Sequence, residues 1–151
     1  MNEVFLFPGQ GSQFVGMAKD LFNEFQFAKD RFEQAENILG YNLAEIAFEG
    51  PDDILKQTQF TQPSIFVHSV IINDFLSNKG IFPSAVAGHS LGEFSALVSA
   101  QVLSFGDTLS IVKVRANEMA KAGDSQPGSM AAILGADHDQ LETICNQNGI
   151  V

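Results

Sequence analysis

Two rhythms of apolar residues run along the chain. The runs from Glu3 to Phe7 and from Ala85 to Ala87 are short and mostly apolar, the pattern of strands buried in a parallel sheet. Elsewhere apolar residues recur every three or four positions, which predicts helices. Leu21, Phe22 and Phe25 form one such run and Phe32, Ala35 and Leu39 a second, with a break near Phe25-Gln26 and a stop at Gly40. Asn42 caps a short helix through Phe48, and Gly50-Pro51-Asp52 starts another brief turn. Thr61-Gln62-Pro63 opens a longer helix, a capping hydroxyl ahead of a proline in an early helical position. Ile65, Phe66, Val70, Ile72 and Leu76 make that helix apolar around much of its circumference, so it is expected to be largely buried until Lys79-Gly80 ends it. A further helix runs from Ser90 through Ala100. Another starts at Ser104 or Asp107 and carries Leu109, Val112, Arg115, Met119 and Ala120.

Gly123-Asp124-Ser125-Gln126-Pro127-Gly128 reads as a linker, and the pattern changes beyond it. Ser129 to Leu134 reads as a strand, Asp137 to Cys145 as a helix, and Gly149-Ile150-Val151 as the first step of another strand. Strands alternating with helices imply the α/β class. Residues 1–124 are expected to be part of a doubly wound parallel-sheet domain and residues 125–151 the start of a smaller unit. Two strands ahead of the linker would leave strand edges and helix faces uncovered, so more sheet is expected.

Composition narrows the class. A hydrophobic share of 45% in 151 residues supports one domain with a real core and excludes disorder. The net charge of −10, from 18 acidic against 8 basic residues, weighs against nucleic acid and anionic membranes as partners. Val4 to Phe7 is too short for a signal peptide and follows Glu3 rather than basic residues. Ile65 to Ile72, interrupted by His68 and Ser69, falls well short of the ~18 residues of a membrane span. Cys145, the one cysteine, cannot form an internal disulfide, which fits a reducing cytoplasm; by itself it reads as a small half-buried hydrophobe.

The most informative stretch is Ala85 to Phe94, a strand, a glycine-flanked serine and a helix start. Gly88-His89-Ser90-Leu91-Gly92 is the G-x-S-x-G pattern of a nucleophile held on a sharp strand-to-helix turn. The glycines leave room beside the serine, and the turn's backbone angles suit residues without Cβ. The turn presents Ser90 Oγ beside the Leu91 N–H, a donor at a helix N-terminus able to stabilise negative charge. An ordinary structural turn is the plainer reading. The loop after the first strand, Pro8 to Gln13, fails two phosphate motifs. Met17-Ala18 stand where a P-loop needs Lys and Ser/Thr, and Phe14 occupies the third glycine position of a dinucleotide fingerprint. Its backbone N–H groups could still face an oxyanion at the sheet edge where Ser90 emerges. The motifs call for neither cofactor nor metal.

A serine nucleophile needs a base within hydrogen-bond reach. His68 lies in the buried helix, His89 points away from its neighbour Ser90, and His138 stands in a polar helix start, so none of the three is a credible base. Arg115 is one of few cations, on an otherwise apolar and small-residue helix. Facing the cleft, its guanidinium would hold a carboxylate with paired hydrogen bonds; facing solvent, it is a surface arginine with a packed stem.

Phe7-Pro8-Gly9-Gln10-Gly11-Ser12-Gln13, Thr61-Gln62-Pro63, Gly88-His89-Ser90-Leu91-Gly92-Glu93 and Arg115, in this order and spacing, resemble the malonyl-CoA:acyl carrier protein transacylases. The same module occurs as the acyltransferase domain of fatty-acid and polyketide synthases. Gly128 to Ile133 resembles the segment where that family enters its small ferredoxin-like subdomain. The resemblance covers the whole chain but only about the N-terminal half of a family member. It implies an α/β-hydrolase-like large subdomain and a ping-pong transfer. Malonyl-CoA acylates the serine, CoA leaves, and the phosphopantetheine thiol of acyl carrier protein takes the malonyl group. Carried over, Ser90 is the nucleophile, and the N–H groups of Leu91 and Gln10 form the oxyanion hole. Arg115 pairs with the malonyl carboxylate, while Gln62 and His89 line the pocket. Leu91 is similar to malonyl-selective members, whereas some methylmalonyl-selective domains place Gln there. The family's catalytic histidine lies well beyond Val151, so this chain alone is expected to turn over little or nothing.

Two other functions compete. A serine hydrolase or thioesterase shares the elbow but has no need of a cationic clamp. A non-catalytic acyl-carrier-binding module would explain the missing base, yet an acidic chain would repel an acidic carrier.

Overall fold

The computed structural model describes residues 3–125, 133 and 135–149. Strand β1, Val4–Phe7, leads through the Pro8 loop to helices α1, Lys19–Glu24, and α2, Gln26–Leu39. Two short helices follow, α3, Leu43–Glu49, and α4, Asp52–Leu55, and then the long α5, Thr58–Asn78. Strand β2, Ala85–Gly88, precedes α6, Gly92–Ser99, and α7, Phe105–Ser125; α8, His138–Asn148, closes the described chain. The α/β class expected from the pattern is the class observed, with helix far outweighing strand.

Local chemistry accounts for most boundaries. Phe25 is extended at φ −120° and splits α1 from α2. Gly40 ends α2 in the left-handed conformation, its N–H donating to Glu36 O. The Asn42 side chain accepts from Glu45 N at 3.0 Å to cap α3. Ser104 caps α7, its Oγ accepting from Asp107 N at 3.1 Å and donating to the Asp107 carboxylate at 2.7 Å. Asp137 caps α8.

Three expectations change. Thr61 does not cap α5, which starts a turn earlier at Thr58; its buried hydroxyl donates instead to Leu55 O. Pro63 therefore stands inside the helix, where it cannot donate to the carbonyl of Gln59. The Tyr41 hydroxyl donates to that carbonyl at 3.3 Å and relieves the defect. The linker also begins later than its glycine suggests, because α7 continues through Gly123 to Ser125. Finally, β1 is not buried on both faces: Val4 is 56% and Leu6 75% exposed. The strand expected over Ser129–Leu134 and the one opening at Ile150 lie outside the described residues.

Among the described residues the sheet has two parallel strands, with Val4 paired to Ala85 and Phe7 to Gly88. His89 N extends the ladder by donating to Phe7 O at 3.0 Å, and Ser84 N closes its other end on Glu3 O at 2.8 Å. The core lies among the helices. Phe32, Ala35 and Leu39 of α2 meet Ile65, Phe66 and Val70 of α5 and Leu109 and Val112 of α7. Phe66 stacks on Phe105 at 5.5 Å, and Arg31 lies over the Phe105 ring while pairing with Asp74 at 2.8 Å. A groove of about 320 Å³ separates β1 from α5, lined by Val4, Leu6, His68, Ile72 and Leu76. No helix of the described residues is long and apolar enough to cross a membrane.

Candidate active site

Register decides what meets at the sheet's C-terminal edge. Because Phe7 pairs with Gly88, the Pro8-Gly9-Gln10 loop and the His89-Ser90-Leu91 turn leave neighbouring strands side by side. Gly9 packs so closely that a Cβ there would lie 2.6 Å from His89 O and 2.9 Å from His89 Nδ1. Within the turn the glycines answer to space. A Cβ on Gly88 would sit 2.1 Å from Gly92 C, and one on Gly92 would sit 2.1 Å from Phe7 O. The left-handed angle expected of a glycine falls on Ser90 itself, at φ 54°. A non-glycine residue held there carries about 1–3 kcal/mol of strain. That strain aims Ser90 Oγ outward, and the residue is exposed.

Leu91 is buried and starts the α6 turn. Among the described residues neither its N–H nor that of Gln10 donates to a protein acceptor. The Gln10 side chain is exposed and its amide donates to Thr58 Oγ1 at 3.3 Å.

Arg115 reaches the site from α7. Its guanidinium points to the turn, Nη2 donating to Ser90 Oγ at 3.0 Å and Nη1 to Gln62 Oε1 at 2.6 Å. Its carbon head lies 5.7 Å from the centre of the Phe94 ring. The four ion pairs of the described residues are Lys19–Glu49, Arg31–Asp74, Lys56–Asp52 and Lys121–Glu118. Arg115 therefore has no carboxylate partner among them, in a chain of 18 acidic residues. Gln62 is fully buried beneath it, and its amide Nε2 donates to Met119 Sδ at 3.2 Å.

The structure thus brings together Ser90, Leu91, Gln62 and Arg115, with His89 and Gln10 on the adjoining loop and turn. None of His68, His89 and His138 hydrogen-bonds Ser90. His68 is half-buried with its ring edge-on to Phe14, and burial lowers its pKa, against a smaller opposing pull from Asp20. His138 is exposed, as its polar surroundings suggest. Three contributors escape the sequence reading: Phe94 beside Arg115, Thr58 under Gln10 and Met119 under Gln62. Only Met119 leaves a signal, standing one helical turn after Arg115 on the same face of α7.

The acyl transferase domain family matches residues 4–151. The "Malonyl CoA-acyl carrier protein transacylase" of Bacillus subtilis (strain 168) is 42% identical over 143 residues, 95% of this chain and 45% of that protein. The crystal structure of the malonyl-CoA:ACP transacylase of Synechocystis sp. PCC 6803 superposes with a TM-score of 0.89 at 44% identity, over 98% of this chain and 49% of that one. A malonyl-transacylase solved in complex with its type II PKS acyl-carrier protein gives a TM-score of 0.85 at 36% identity, over 97% and 48%. The chain spans about half the length of the curated relatives it matches.

Proposed function

The chain belongs to the acyl transferase domain family, and from that premise we propose that it is the nucleophile-bearing half of an enzyme moving malonyl from malonyl-CoA to acyl carrier protein. The observation that carries the reading is the Arg115 fork, which touches Ser90 Oγ and has no carboxylate partner among the described residues. A planar cation with spare donors beside a nucleophile suits an acyl group that itself ends in a carboxylate.

Ser90 Oγ attacks the thioester carbonyl and its proton passes to a base. No histidine of this chain hydrogen-bonds Ser90, and the family resemblance implies a base supplied from outside these residues. Negative charge gathers on the former carbonyl oxygen, where the N–H groups of Leu91 and Gln10 stabilise it. CoA leaves as its thiol and a malonyl ester remains on Ser90. Its free carboxylate lies two carbons beyond the ester carbonyl, within reach of an arginine that already contacts Oγ. The carrier's phosphopantetheine thiol then attacks the ester, and Ser90 recovers its proton. Gln62 fixes the guanidinium from below, while His89 walls the pocket. The lone cysteine and the family's place in fatty-acid synthesis support a cytoplasmic setting, and the 1–124 and 125–151 division follows from the same resemblance.

The test is acyl transfer by a full-length protein carrying this chain, with malonyl-CoA and acetyl-CoA as donors. Arg115→Ala is expected to lower malonyl transfer by about 100-fold or more, the loss of a charge-assisted pair, while acetyl transfer holds. Mass spectrometry should find the malonyl group on Ser90. A serine hydrolase would instead hydrolyse neutral esters with no preference for the carboxylate, and an unchanged malonyl preference in Arg115→Ala would remove the clamp.

A further inference from the structure

The Arg115–Gln62 contact rests on a third residue. A buried primary amide can be turned either way round, and only one orientation serves the clamp. Arg115 offers donors alone, so Gln62 must present Oε1 to it, as it does at 2.6 Å. The Nε2 hydrogens then need an acceptor in a place closed to water, since Gln62 is fully buried. Met119 Sδ takes that position at 3.2 Å. A thioether accepts and cannot donate, so it welcomes the amide nitrogen and gives the flipped oxygen nothing. Flipping would set an NH₂ against a guanidinium and a carbonyl oxygen against sulfur, losing both contacts at once.

We infer that Met119 is a positioning residue for the carboxylate clamp: its sulfur fixes the orientation of the Gln62 amide, and through it the guanidinium of Arg115. The inference rests on the reading of Arg115 given above. Arg115 and Met119 stand one turn apart on α7, and Gln62 comes from α5, so the three lock two long helices together at the site. Met119 is itself 37% exposed, which makes it replaceable without opening the core.

The experiment measures KM and kcat for malonyl-CoA and acetyl-CoA in a full-length protein carrying this chain. Met119→Leu keeps volume and removes the acceptor. It should raise KM for malonyl-CoA about five- to tenfold, the effect of one unpaired buried donor, and leave acetyl-CoA within twofold. Met119→Ala, which asks less of the packing, should show the same malonyl-specific loss. Met119→Gln restores an acceptor oxygen and should recover most of the affinity. In a Gln62→Leu background, Met119→Leu should add nothing, because the amide it orients is gone. Equal losses for both donors, or additive effects of the two substitutions, would overturn the inference and leave Arg115 as the clamp. An Arg115→Ala variant with unaltered malonyl preference would instead overturn the clamp itself, and this inference with it.

Discussion

At Ser90 the backbone is held in a conformation its side chain disfavours, at φ 54°. Glycine adopts that angle freely, so Ser90→Gly should raise stability by about 1 kcal/mol while abolishing acylation; a urea titration beside a malonyl-labelling assay reads both. The flanking positions behave oppositely. Gly92→Ala would place a methyl carbon 2.1 Å from Phe7 O, against backbone that cannot yield. It should cost more than about 4 kcal/mol, the range reserved for severe backbone conflict, and a shift in thermal midpoint would show it. Sterics of this kind explain why the turn is legible in the sequence: close packing demands glycine, and glycine is visible. The strain on Ser90 is not, because a serine looks the same at any φ. The direction of Arg115 is equally hidden, since it depends on Gln62, 53 positions away, and Ser90, 25 away.

Helix α5 shows what an element owes to its neighbours. Thr61-Gln62-Pro63 has the signature of a helix start, yet the helix begins at Thr58 because a hydroxyl on another segment repairs the gap left by Pro63. No local pattern announces a contact between Tyr41 and Gln59. The breaks at Phe25 and Gly40 and the caps at Asn42 and Ser104 are local, and these the sequence does announce. Burial pushes the Tyr41 hydroxyl up to about 12. The unfolded chain releases that proton near pH 10 and the folded chain holds it longer. The associated stability is thus full below pH 10 and lost between there and about pH 12. Tyr41→Phe should remove this alkaline decline and, near neutral pH, cost about 1–2 kcal/mol for the unpartnered Gln59 carbonyl. His68 acts at the other end of the scale. Its lowered pKa gives stability that is present above its unfolded value near 6.5 and lost as acid charges the ring. Denaturant midpoints across pH, with His68→Gln as the control, should show that loss confined to the parent chain.

Across the described residues, most of the buried apolar side chains lie on helices. Leu109 is fully buried between α5 and α2, whereas Leu6 is 75% exposed on the two-stranded sheet. Leu109→Ala should therefore cost about 2–5 kcal/mol, and Leu6→Asn no more than about 0.5 kcal/mol, as paired chemical denaturation would measure. A four-residue apolar strand reads identically whether its faces are covered or bare, so the exposure of Val4 and Leu6 leaves no local signal, although a count of only two strands already implied uncovered sheet edges. The β-α alternation, by contrast, carries the fold class because it depends only on element order.

The charge of Arg115, which has no carboxylate partner among the described residues, would also shape how a substrate arrives. On the proposed function, the net charge of −10 that this chain carries would set a repulsive far field against an anionic thioester, with attraction only over the last few ångströms. Dissolved ions shorten the range of the first force to about 10 Å at 0.1 M, while the second, acting across a half-buried contact, is screened far less. Moderate salt should thus quicken encounter rather than slow it, reversing the sign familiar from oppositely charged partners.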